Sequence, residues 1–132
     1  MKTIKFAFLF FAILSIAACT DDDDEGTTVC AQTDWAGTYT GTVDCDGTVE
    51  DVTVTVTASG AANILVSYET VAQQTEFGAL PFDGCNLAAT ATGNGQSIAL
   101  TATLTGENLT IGEVISDSTS VVSTCSIVAT RN

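Results

Sequence analysis

The stretch Val52-Thr53-Val54-Thr55-Val56-Thr57-Ala58 decides the fold class of this 132-residue chain. Apolar side chains and threonines alternate at every second position, which is the period of a strand that buries one face. Residues 98–105, Ile-Ala-Leu-Thr-Ala-Thr-Leu-Thr, repeat the pattern. Because Val and Thr both favour extended backbone, these two segments predict strands of a sheet with one buried face.

The same alternation recurs from residue 35 to residue 130. We predict eight strands, over residues 35–43, 52–58, 64–68, 76–80, 87–92, 98–105, 109–115 and 121–130. Gly, Asn, Asp and Pro interrupt the alternation at residues 46–47, 59–60, 81–84, 93–95 and 106–108, where they favour tight turns. Short strands joined by tight turns predict an all-β domain. Its architecture is a small antiparallel up-and-down barrel or, alternatively, a β-sandwich.

The opening of the first predicted strand carries a family resemblance. The string Trp35-Ala36-Gly37-Thr38-Tyr39-Thr40-Gly41 resembles the opening strand of small lipocalin-like barrels. That resemblance implies about eight strands around an interior that holds a ligand; the alternative is an interior filled by the protein's own side chains, because the strands are short. Trp35 and Tyr39 would then border a pocket for a small apolar ligand or a glycan. Biotin-binding barrels contain a similar string but line their pocket with several Trp, whereas this chain has one, which argues against biotin.

The N-terminal 18 residues have the pattern of an export signal. Lys2 and Lys5 precede an apolar run over residues 6–16, which is too short for a membrane span of about 20 residues. The run ends in Ile16-Ala17-Ala18-Cys19, which resembles the lipobox of bacterial lipoproteins. The resemblance implies removal of residues 1–18 and attachment of a diacylglycerol to Cys19. Two or more acyl chains on one residue give stable membrane anchoring.

An acidic run follows the predicted lipid site. Asp21, Asp22, Asp23, Asp24 and Glu25 resemble the export signal of Bacteroidota surface lipoproteins. This resemblance implies display on the outer face of the outer membrane. The same run also predicts a solvated, self-repelling tether. We therefore divide the chain into a signal peptide (1–18), a lipidated Cys with an acidic tether (19–29) and an all-β domain (30–132).

The cysteine count agrees with this division. Five Cys in an exported chain cannot all pair in disulfides, so one is left without a partner. Lipidation of Cys19 accounts for that one and leaves an even number. Three pairings of the other four are open. In an up-and-down barrel Cys30 and Cys85 fall near one end, and the eighth strand, which holds Cys125, neighbours the first strand, which Cys45 ends. We therefore predict the disulfides Cys30–Cys85 and Cys45–Cys125.

Charge and composition exclude several functions. The formal net charge is −13, and after residue 5 the chain has one basic residue, Arg131, and no His. Nucleic-acid binding requires a basic surface, which is absent from the sequence. Catalysis by a nucleophile that His or Lys activates is excluded as well, because the chain has no His and no Lys after residue 5. The acidic hairpin at residues 44–51 lacks the spacing of an EF-hand loop.

We predict a non-enzymatic protein with no catalytic residue, cofactor or metal. Its partners are the membrane, through the lipid on Cys19, and a small apolar ligand, a glycan or an envelope protein.

Overall fold

The computed structural model describes residues 29–132. The predicted lipid site and acidic run, Cys19 and residues 21–25, lie outside these described residues. One short helix and eight strands follow in chain order: α1 (Gln32–Trp35), β1 (Gly37–Cys45), β2 (Thr48–Ser59), β3 (Asn63–Glu69), β4 (Gln74–Asp83), β5 (Asn86–Gly93), β6 (Gln96–Thr105), β7 (Asn108–Asp117) and β8 (Val121–Arg131). None of the helices in this part of the chain is long and apolar enough to cross a membrane.

The strands form a closed antiparallel barrel in which each strand pairs with the next and β8 returns to β1. Gly41 of β1 stands opposite Ala129 of β8, and Cys45 stands opposite Cys125. This closure confirms the prediction of a small lipocalin-like up-and-down barrel of eight strands and excludes the sandwich. Because side chains alternate along each strand, the apolar set predicted from the sequence fills the lumen.

The two ends of the barrel differ. We call one the plugged end, which contains α1 and the β2–β3, β4–β5 and β6–β7 turns. The Gln32 amide donates to the carbonyls of Gly60 (3.1 Å) and Asn63 (2.6 Å), which fixes α1 against the β2–β3 turn. We call the other end the mouth, formed by the β1–β2, β3–β4, β5–β6 and β7–β8 connections.

Two local features differ from the predicted strands. Trp35 ends α1 instead of opening β1, because the Asp34 carboxylate accepts the Ala31 N–H (2.7 Å) and closes a helical turn there. Residues 81–83 belong to β4 instead of a turn, since Pro81 pairs with Asn63 of β3. A register shift and a positive φ of 53° at Ala79 bend β4 just before this point.

The structure confirms both predicted disulfides. Cys30 is bonded to Cys85, which ties the chain entering the barrel to the β4–β5 turn at the plugged end. Cys45 is bonded to Cys125, its register partner across β1 and β8 near the mouth. The loops that they close span 55 and 80 residues. Closing loops of this length restricts the unfolded chain strongly, so both bonds stabilise the barrel.

Candidate functional site

The plugged end of the lumen is filled by the protein's own side chains. Trp35 and Tyr39, which were predicted to border a ligand, are both fully buried there. The Trp35 Nε1–H donates to the Gly84 carbonyl (2.9 Å), and the Tyr39 hydroxyl donates to the Trp35 carbonyl (2.8 Å). Their polar atoms thus bind backbone of the chain itself. The ligand-contacting role of these two residues remains a prediction from the resemblance.

Arg131 secures the same end. Its guanidinium donates to the Tyr39 hydroxyl (2.7 Å) and to the Asp34 carbonyl. The Cζ atom of the guanidinium lies 5.3 Å from the centre of the Tyr39 ring. Hydrogen bonding and cation–π attraction therefore join the last residue of β8 to α1. Arg131 is the one basic side chain among the described residues, and these contacts hold it at the plugged end.

The mouth holds a cavity of about 190 Å³. It lies between the β1–β2 hairpin and the β3–β4 loop, and its lining mixes apolar, hydroxyl, amide and carboxyl groups: Val43, Cys45, Thr48, Glu50, Tyr68, Thr70, Ala72 and Gln73. Val43, Cys45 and Tyr68 face it because they share the inward parity of their strands. The cavity is therefore open space at the level where the packed core ends.

A hydrogen bond crosses the lumen beside this cavity. The Tyr68 hydroxyl of β3 donates to Oε2 of Glu113 on β7 across a distance of 2.6 Å. Tyr68 is 4% exposed and Glu113 is 7% exposed, and Glu113 is the one charged residue among the buried residues of the described chain. We call this contact the Tyr68–Glu113 bridge. Burial, followed by the hydrogen bond from Tyr68 to Glu113, raises the pKa of Tyr68, so its hydroxyl remains a proton donor.

The bridge was not predicted from the sequence. Tyr68 and Glu113 lie in the predicted strands over residues 64–68 and 109–115, but neither residue was predicted to form a site. The alternation of side chains along β7 is the one signal for Glu113 in the sequence. Glu113 stands at the alternate position between Ile111 and Ile115, which places it on the inward face of β7. Its partner could not be read from the sequence because β3 and β7 are not neighbours in the sheet and meet only across the closed lumen.

Two of the four connections at the mouth carry an aspartate that is hydrogen-bonded within the protein. Asp46, in the β1–β2 turn, accepts the Thr124 N–H (3.0 Å) and the Ser123 hydroxyl (2.8 Å) of β8, and these bonds lower its pKa. Asp117 accepts the Thr119 hydroxyl and N–H (2.7 Å each), which lower its pKa similarly. Within residues 29–132, no three His, Cys, Asp or Glu side chains converge as ligands for a metal ion.

Exposed apolar side chains also lie at the mouth. They are valines in or beside three of its four connections, namely Val49, Val71, Val121 and Val122, each at least half exposed. Apolar groups at the tips of hairpins are available for contact with another molecule. The mouth thus combines a cavity, negative charge and an apolar rim, whereas the plugged end is sealed by α1 and the Cys30–Cys85 disulfide.

Fold and geometry define a small, disulfide-bonded, lipocalin-like barrel with one plugged end and one open mouth. Comparison with known protein families, with curated proteins and with solved structures finds no match to this chain.

Proposed function

We propose that the protein is a non-enzymatic, lipid-anchored lipoprotein of the cell envelope, which presents its barrel as a structural or interaction module on the outer membrane surface. The observation that carries the proposal is the packing of the lumen. Its plugged half is filled by large, fully buried side chains, among them Trp35, Tyr39 and Ile64, and the mouth cavity of about 190 Å³ is smaller than the roughly 300–1,000 Å³ of ordinary ligand pockets.

Covalent connectivity supports an orientation for the module. Cys30, the first residue of the domain, is bonded to Cys85 at the plugged end. The predicted anchor, Cys19, is joined to the barrel through this end, and the chain between them can extend over about 35 Å at most. The proposal therefore places the plugged end as the point of attachment and leaves the mouth, with its rim of Val49, Val71 and Val121, for contact with other molecules.

The anchoring proposal is tested by replacing Cys19 with Ser and comparing this variant with Thr20→Ser in the native host. We expect Cys19→Ser to leave the membrane fraction and to lose the mass of the lipid, whereas Thr20→Ser remains anchored. Protease added to intact cells should then cleave the wild-type protein at the cell surface. Retention of Cys19→Ser in the membrane with an unchanged mass would contradict the proposal.

A second function, binding of a small molecule in the mouth, is favoured by the Tyr68–Glu113 bridge. A carboxylate is costly to bury in an apolar lumen, and a fully apolar residue at position 113 would pack there without that cost. Native mass spectrometry of the protein isolated from its host tests this function. We expect a bound small molecule in addition to the mass of the protein, and an unliganded mass under mild conditions would argue for the first function alone.

A further inference from the structure

The bridge places an acidic side chain in the lumen without a basic partner among the described residues. The Tyr68 hydroxyl donates to Oε2 of Glu113 across 2.6 Å, so Glu113 is the acceptor of this bond. A hydroxyl is a neutral partner and supplies no positive charge to balance a carboxylate.

The rest of the described chain does not supply the missing charge. Arg131 is its one basic side chain, and its contacts with Tyr39 and Asp34 hold it at the opposite end of the barrel. Glu50 is the one charged residue that lines the cavity, and it is acidic. A cleft lined by charges of one sign concentrates the field within it and attracts ions of the opposite sign.

The walls beside the bridge are suited to an organic cation. The Tyr68 ring lines the cavity and packs against Phe77 with 6.1 Å between ring centres. Aromatic faces attract ammonium groups, most strongly where water is excluded. The cavity volume of about 190 Å³ exceeds the roughly 150 Å³ that suffices to hold benzene in a protein interior. One aromatic ring or a short alkyl chain with one ammonium group therefore fits this space.

We propose that the mouth cavity binds a small organic ammonium ion, whose charge pairs with the carboxylate of Glu113 and whose apolar part lies against the ring of Tyr68. This inference rests on the second function proposed above and names the class of ligand. The acidic mouth draws the cation in, and Glu113 distinguishes it from a neutral molecule of the same shape. Anionic ligands are excluded by the same charges.

The test uses benzylamine and its neutral analogue benzyl alcohol as probes, with the full lipid-modified protein in detergent at low ionic strength. Binding is measured by titration calorimetry and by NMR. We expect benzylamine to bind the wild-type protein at least about tenfold more tightly than benzyl alcohol, because a desolvated charge pair forms only with the amine. Glu113→Gln should lose this preference. Glu107→Gln, which removes one exposed carboxylate at the plugged end, should retain it.

A measurement on the wild-type protein covers the case in which Glu113→Gln does not fold. Benzylamine should shift the carboxyl carbon resonance of Glu113 and show nuclear Overhauser contacts with the Tyr68 ring. Equal binding of the two probes, or equal benzylamine binding by the wild-type protein and a folded Glu113→Gln variant, would overturn the cation assignment while leaving a binding function. Failure of both probes to bind would overturn the assignment together with the binding function.

Discussion

Gly41 is the position at which a single added methyl group tests barrel closure most sharply. A Cβ atom built on Gly41 would lie 2.0 Å from the Val128 carbonyl oxygen and 2.6 Å from Cα of Ala129. Both contacts are with the backbone of β8, so no side-chain rotation relieves them. β1 and β8 would have to separate at the seam that closes the barrel.

We expect Gly41→Ala to lower the free energy of unfolding by about 3 kcal/mol, the upper part of the usual range for overpacking, because main chain must move. Gly93→Ala is the matched control, since a Cβ there meets no atom within 4 Å and the residue lies at the end of β5. The control should change stability by less than about 0.5 kcal/mol.

Urea unfolding followed by the fluorescence of Trp35, the single tryptophan, measures both variants. The fully buried indole reports on the plugged end, so its emission shifts when the barrel opens. If Gly41→Ala and Gly93→Ala unfold at the same urea concentration as the wild-type protein, β1 and β8 do not approach as described and the reasoning is refuted.

Three further predictions concern other contacts of the barrel. Replacing Cys45 and Cys125 together by Ser should lower the free energy of unfolding by up to about 4 kcal/mol, since the bond closes a loop of 80 residues; calorimetry against the disulfide-bonded wild-type protein measures this. Trp35→Phe should cost about 1–3 kcal/mol in thermal unfolding, because the Gly84 carbonyl loses its indole donor, and an unchanged melting temperature would contradict that hydrogen bond. The pKa of Asp46 is lowered below its ordinary value of 3.8, so its contribution is complete above that pH and is lost as the pH falls through the lowered value. The stability advantage of the wild-type protein over Asp46→Asn should therefore decline as the pH falls below 3.8 and vanish below the lowered pKa, as urea unfolding at a series of pH values would show.

The sequence predicted the architecture because a half-buried strand has a strict period of two. In β2, for example, Val52, Val54 and Val56 alternate with threonines and all three are buried. Closure of β8 on β1 then brings Cys45 beside Cys125, as the strand order implied. Trp35 was wrongly placed in a strand because its period continues that of β1. The chain turns locally instead, through the hydrogen bond from the Ala31 N–H to Asp34.

Of the Tyr68–Glu113 bridge, the sequence could predict the inward position of Glu113 but not its partner. Parity along β7 places Glu113 inside the barrel, but the choice of partner depends on the tilt and stagger of strands that do not pair with each other. The C-terminal end of β4 could not be predicted for a related reason. Pro81 and Gly84 are ordinary turn signals, yet the bend at Ala79 lets β4 continue through Pro81 alongside β3. Tertiary geometry decides both features.

The proposed lipid anchor and the disulfide-bonded domain are tested together by intact-protein mass spectrometry of the protein recovered from membranes of its own host. We predict a mass equal to residues 19–132 with two disulfides and an acylated glycerol on Cys19. A chain that retains residues 1–18, or one that begins at residue 19 without a lipid, would contradict the account of a lipid-anchored barrel.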